Sequence, residues 1–143
     1  MQDILTCAMG LDVHRDIIVA CLVKGAVDAE PEAETRTFST LIPEMQKLRD
    51  WVIESECRNI AMESTGIYWQ PIYEMLESCF DGEISILVVN ARHMKNVPGR
   101  KTDMKDAQWI ATLLRAGLLK GSFIPDKAFR ELRHLTRYRK SVV

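Results

Sequence analysis

Several features are missing from this sequence of 143 residues, and each absence removes a class of protein. No apolar run approaches the ~18 residues that a membrane-spanning helix needs. The opening MQDILTCAMG lacks the basic-then-apolar pattern of a secretory signal, so a soluble intracellular protein is expected. The four cysteines, Cys7, Cys21, Cys57 and Cys79, form no C-x-x-C pair, and no histidine stands at zinc-ligand spacing from them. Each lies in an apolar context, which predicts buried free thiols and neither a zinc module nor a disulfide scaffold. There is no internal repeat and no low-complexity segment.

What is present is an ordinary globular composition, 47% apolar and 27% charged, of a length that suits one domain with one real core. The formal net charge of −1 hides a split. Residues 1–91 carry 6 Lys and Arg against 16 Asp and Glu, whereas residues 92–143 carry 13 against 4. A positive C-terminal third in one domain points to a polyanionic partner; internal pairing of the two halves is the alternative.

The hydrophobic pattern predicts β-β-β-α-β-α-β-α and one more helix. LTCAMGLDVH alternates, so Ala8, Gly10, Asp12 and His14 share a face. DIIVACLV is rich in β-branched and apolar residues, and the short polar turn at His14–Arg15 predicts an antiparallel hairpin. ETRTFS is a third strand. Pro43 fits the first turn of a helix on which Met45, Leu48 and Val52 repeat, with Trp51 alongside. RNIAMES is a short strand ending in Glu63. YWQPIYEMLESCF is a second helix with Trp69, Ile72, Tyr73, Leu76 and Phe80 on its apolar side. EISILVVN reads as a buried central strand. A third helix is predicted over Asp103–Ala116, with Ala107, Ile110, Ala111 and Leu114 as its stripe and Gly117 as its stop. The domain is expected over residues 1–125, with a basic helix over 126–143. The fold class is α/β, a mixed sheet with helices on its faces.

The stretch GRKTDMKDAQWIA raises the functional question. Asp103 and Asp106 stand three apart at a helix opening, among basic residues. Asp12 ends the first strand and Glu63 the fourth. If those strands run parallel, the two acids emerge at the sheet edge where α/β proteins build their sites. Positions i and i+3 of a helix share a face, so Asp103 and Asp106 can both point there. Carboxylates brought together repel unless cations sit between them, and hard oxygen ligands suit Mg²⁺ or Mn²⁺. Two such ions ~4 Å apart can stabilise the attacking and leaving oxygens of phosphodiester chemistry. Each acid taken alone has a plainer explanation. Asp103 reads first as an N-cap and Asp106 as a first-turn acid, Asp12 as a turn residue with Asp16 as a competitor, and Glu63 as a partner for Arg58 or another base.

Four segments, GLDVHRDIIVACLV, AMESTGIYWQPI, VVNARHMKNVPGRKTDMKDAQWIATLLRAGLL and FRELRHLTRYRKSVV, together resemble the N-terminal domain of the Piv/MooV-type transposases, the DEDD recombinases of the insertion-sequence-110 family. The resemblance implies a RuvC-like variant of the ribonuclease H fold. It matches Asp12, Glu63, Asp103 and Asp106 to the family's four acids, which bind Mg²⁺ near the DNA strand to be cut or rejoined. It further implies site-specific recombination of an insertion element in double-stranded DNA, a structured bridge RNA that selects the DNA, and a homodimer or higher oligomer. The setting would be a bacterial or archaeal cytoplasm, at the nucleoid. The family carries a second domain with a nucleophilic serine, joined through a coiled-coil segment, for which this sequence has no room. A truncated chain is therefore expected, incomplete as an enzyme by itself. Ser64 is not that serine by position; its hydroxyl suits the turn.

The basic residues fall beside the acids. Arg92, Lys95, Arg100, Lys101 and Lys105 can neutralise phosphates flanking the metals. On the last helix Arg130, Arg133, Arg137 and Lys140 line up, next to an apolar stripe of Phe129, Leu132, Leu135 and Tyr138 that suits a second copy of the chain. Trp69 and Tyr68 can stack on a base or pack the core. Three other functions compete with the transposase. A stand-alone junction-resolvase-type nuclease needs only the acids. A non-catalytic module would bind RNA and dimerise. An actin-like phosphotransferase wants a glycine soon after the first-strand aspartate, where Val13 and His14 stand.

Overall fold

The computed structural model describes residues 5–27, 29–64, 66–90, 98–100 and 104–119. Strands β1 (Cys7–Val13), β2 (Ile17–Lys24) and β3 (Glu32–Ser39) form an antiparallel meander. Helix α1 (Ile42–Glu54) then crosses over to β4 (Asn59–Ser64), which lies parallel to β1. Helix α2 (Trp69–Glu77) and a single 3₁₀ turn (Cys79–Gly82) lead to β5 (Ser85–Val89), parallel to β4. Helix α3 (Asp106–Arg115) follows. Among the described residues the sheet has five strands in the order β3-β2-β1-β4-β5.

The alternation of β1 decides the layers. Met9, Leu11 and Val13 face α1 and α2, joining Ile18, Ala20, Ile60 and Met62 beneath Leu48, Val52, Ile72 and Leu76. Ala8 faces the other way, with Ala61 and Val89, under Trp109, Ile110 and Leu113 of α3. Helix α1 begins as predicted, with proline in its first turn and Met45, Leu48, Trp51 and Val52 buried. Trp69 packs against the core, edge-on to Tyr73 with ring centroids 5.5 Å apart, whereas Tyr68 is exposed.

Three predictions need correction. The second helix ends at Glu77, and Phe80 lies beyond it in the 3₁₀ turn, at φ 55°. EISILVVN is not a central strand: β5 lies at the edge of the described sheet, with only Val88 and Val89 buried. Its unbroken apolar run has another cause. Ile86 and Val88 pack toward α1 and α2, while Leu87 and Val89 pack toward α3, so both faces are covered although among the described residues no strand pairs with its outer edge. The third helix starts at Asp106, not at Asp103, and its N-cap residue is Lys105 with no side-chain cap bond. Its end is as predicted. Gly117, at φ 72°, lets the Gly117 and Leu118 N–H groups reach back to Leu114 O and Leu113 O at 3.0 Å each. The predicted helix over 126–143, with Arg130, Arg133, Arg137 and Lys140, lies outside the described residues.

The thiols are free, as expected, with Cys21, Cys57 and Cys79 buried and Cys7 half-buried. No helix among the described residues is long and apolar enough to cross a membrane.

Candidate metal and nucleic-acid site

Strand pairing puts the first two acids together. β1 and β4 are parallel, and Asp12 is the register partner of Glu63. Both sit at the carboxyl ends of their strands, about 4.8 Å apart along the hydrogen-bonding direction. Asp12 shares its face with Ala8 and Gly10, and Glu63 shares its face with Ala61, so both belong to the side of the sheet that α3 covers. Asp12 is thus a strand residue, not a turn residue. Arg58, the alternative partner for Glu63, instead pairs with Glu83 at 3.0 Å and stacks on the Phe80 ring.

Helix α3 brings the third acid to the same end. Gly10 is the contact point: a Cβ there would stand 2.2 Å from Ala107 O and 2.6 Å from Ala111 N. No side chain fits between this strand and this helix, so the two backbones approach closely. At its other end Arg115 reaches Leu5, ahead of β1. The helix therefore runs antiparallel to β1, and Asp106, one residue before Ala107, opens it at the end of the sheet that carries Asp12 and Glu63. The positive end of the helix dipole supports a carboxylate there.

Arg115 is the residue that the sequence reading missed. It is 1% exposed and donates to Leu5 O (2.9 Å), Gly25 O (3.0 Å) and Ala26 O (2.7 Å). Its guanidinium fork gathers carbonyls that burial would otherwise strand. It pins the foot of α3 to the start of β1 and to the turn after β2, which fixes where Asp106 stands. One signal pointed to it: position 115 continues the Ala107–Ala111 spacing, so a lone cation falls on the apolar stripe.

The acids already have partners. His14 Nε2 lies 3.1 Å from Asp12 Oδ2, and the Asp12 side chain is 16% exposed. Arg100 Nη2 donates to Asp106 Oδ1 at 2.7 Å, while its Nε and Nη2 also bond Met104 O. Arg100 thereby folds the end of the basic loop back onto the opening of α3. Lys105 is exposed at the helix N-cap. Of the other predicted site residues, Asp103, Arg92, Lys95 and Lys101 lie outside the described residues. Among the described residues, no group of three or more His, Cys, Asp and Glu side chains is placed to hold a metal ion. The described part of the site is thus an adjacent pair, Asp12 and Glu63, with Asp106 held aside by Arg100. As a donor set, hard carboxylate oxygens at the mouth of a parallel strand pair fit Mg²⁺ or Mn²⁺.

Solved structures share this fold. The Thermus thermophilus RuvC structure superposes with a TM-score of 0.55 at 12% identity, covering 81% of this chain and 99% of that one. A second structure, T. thermophilus RuvC in complex with a Holliday junction substrate, gives a TM-score of 0.52 at 13% identity, covering 82% and 100%. No curated protein matches the sequence. The sheet order and the helices on its two faces are those of a RuvC-like, ribonuclease H-like domain, as expected. A family model for insertion-sequence-110 DEDD transposases, described as Transposase, matches residues 9–143, and the chain belongs to that family.

Proposed function

We propose that this domain binds divalent metal, Mg²⁺ or Mn²⁺, through Asp12, Glu63, Asp103 and Asp106, and serves as the metal-binding catalytic domain of a transposase that cuts and rejoins DNA strands during RNA-guided, site-specific recombination of an insertion element. The observation that carries the proposal is the register pairing of Asp12 with Glu63 beneath the N-terminus of α3. Two carboxylates side by side repel, and a cation between them relieves the repulsion. Membership of a transposase family supplies the DNA reaction.

The chain's own groups divide the work. Asp12 and Glu63, on two hydrogen-bonded strands, form the rigid half of the site. Asp106, on a helix pinned at both ends by Gly10 and Arg115, forms the adjustable half. His14 orients the Asp12 carboxylate through its 3.1 Å contact. Arg100 holds Asp106 in the absence of metal, and then turns to a backbone phosphate of the nucleic acid. Lys105, with Arg92, Lys95, Lys101 and the cations of the 126–143 segment, neutralises further phosphates. The bound cation supplies Lewis-acid polarisation of the scissile phosphodiester. Bridge RNA, double-stranded DNA and a second copy of the chain are the partners in this reading.

A second reading is a nuclease that resolves branched DNA without RNA. It is favoured by the RuvC likeness, one instance of which holds a Holliday junction. Strand cleavage on branched and on linear duplex DNA, with and without the structured RNA, separates the two. RNA-dependent cleavage that Asp12→Asn abolishes, with DNA binding kept, supports recombination. RNA-independent cutting of branched DNA supports the second reading. Unchanged cleavage by Asp12→Asn refutes both.

A further inference from the structure

At the end of the sheet opposite the carboxylates, Cys7 and Cys57 meet. Cys7 opens β1 and turns its side chain, like Met9 and Leu11, toward the α1 and α2 core. Cys57 precedes β4, outside that strand's alternation, and is fully buried in the same core. β1 and β4 are neighbouring parallel strands, so the start of β1 and the residues that lead into β4 lie at the same end of the sheet. The Cys7 and Cys57 side chains interact with each other, and the Cys57 thiol donates to Asn59 O at 3.3 Å. Lys24 is the register partner of Cys7 on β2 and places an ammonium group nearby.

We infer that Cys7 and Cys57 form a redox site, at which a hydroperoxide oxidises Cys7 and Cys57 closes a reversible disulfide that ties β1 to β4. The Cys7 thiolate attacks the peroxide oxygen, the O–O bond breaks, and hydroxide or alkoxide leaves, giving the Cys7 sulfenic acid. The Cys57 thiol then gives its proton to solvent and attacks the Cys7 sulfur. An S–S bond forms, water leaves, and two electrons in all have passed from the thiols to the peroxide.

The electrostatics suit the order. The interaction with the Cys57 side chain outweighs burial and, with Lys24, brings the Cys7 thiol down to about 7. The same contact, with burial and the Cys7 charge, pushes the Cys57 thiol up. Cys7 is therefore the first to react, and its oxidation removes the negative charge that keeps the proton on Cys57. Burial raises Cys21 and Cys79, which serve as internal controls.

The test is peptide mass spectrometry of the intact chain after hydrogen peroxide, under non-reducing conditions. The expected product is an intramolecular Cys7–Cys57 linkage, reversed by dithiothreitol, with Cys21 and Cys79 still thiols. Cys7→Ser abolishes it, and Cys57→Ala leaves a Cys7 sulfenic acid that dimedone traps. Because Cys57→Ala can disturb the core, a second measurement uses the parent alone: the rate of Cys7 alkylation by iodoacetamide against pH, with its half-maximum expected near pH 7. Oxidation confined to Cys21 or Cys79, a Cys7 linkage between two chains, or an alkylation midpoint at the 8.5 of an ordinary thiol would overturn the inference.

Discussion

Substituting Gly10 by alanine tests how α3, and with it Asp106, is set against the sheet. The added Cβ would meet Ala107 O at 2.2 Å, Ala111 N at 2.6 Å and Ile110 Cβ at 2.9 Å. Carbon contacts are comfortable from about 3.5 Å, so the helix must retreat by about 1 Å. Two of the three obstructing atoms are backbone, so no rotamer change relieves the clash. The retreat loosens the packing of Ala107, Trp109, Ile110, Ala111 and Leu113 together. Overpacking of this kind costs about 3 kcal/mol, near the top of its usual range because a whole helix shifts. For a chain of 143 residues that lowers the melting temperature by about 10 °C. The same shift moves Asp106 away from Asp12 and Glu63, and a misplacement of about 1 Å in a reacting constellation costs on the order of 10²-fold in rate. The assays are thermal unfolding by circular dichroism and metal-dependent strand cleavage below the melting temperature. Truncating Ala107 or Ala111 to glycine in the Gly10→Ala background should not restore stability, because the clash is with main-chain atoms. A Gly10→Ala protein that melts with the parent, or a full rescue by Ala111→Gly, would refute the close-approach argument.

Other substitutions probe the remaining supports. Arg115→Met should destabilise by about 3–5 kcal/mol in urea unfolding, since it strands the carbonyls of Leu5, Gly25 and Ala26 in a buried place; Arg115→Lys should recover only part of this, having no fork. A loss below about 1 kcal/mol would contradict the pinning role. Arg100→Ala should change stability by no more than about 0.5 kcal/mol, because its ion pair with Asp106 is solvent-exposed. Without nucleic acid it should nonetheless tighten Mn²⁺ binding a few-fold by freeing Asp106, and weaker Mn²⁺ binding in a titration would count against Asp106 as a ligand. Raising salt from 50 to 200 mM should weaken DNA binding steeply in a fluorescence-anisotropy titration, and Arg100→Ala should reduce the log–log slope by about 1.

The strands and helices were legible because their periods are clean. The alternation in CAMGLDV fixes both faces of β1, and the i, i+3, i+7 spacing of Met45, Leu48 and Val52 fixes α1. The placement of Asp12 beside Glu63 was legible too, once a crossover made their strands parallel. Less visible were features that depend on long-range contact. The edge position of β5 is hidden because coverage on both faces gives the same apolar run as a central strand. The start of α3 at Asp106 was hidden because acids at helix openings look like caps, whereas Lys105 occupies that position. Arg115 satisfies carbonyls some ninety or more positions away in sequence, which no local pattern encodes. The chain reversal at Phe80 and Asp81, both with positive φ, was invisible for want of a glycine at those positions.

The central claim is that the carboxylates at this sheet edge bind a divalent cation, and isothermal titration of Mn²⁺ and Mg²⁺ into the parent, Asp12→Ala, Glu63→Ala and Asp103→Ala tests it most directly. Saturable binding in the parent that each substitution abolishes, with folding intact by circular dichroism, is the predicted result. Equal metal affinity in the parent and in Asp12→Ala would contradict the account.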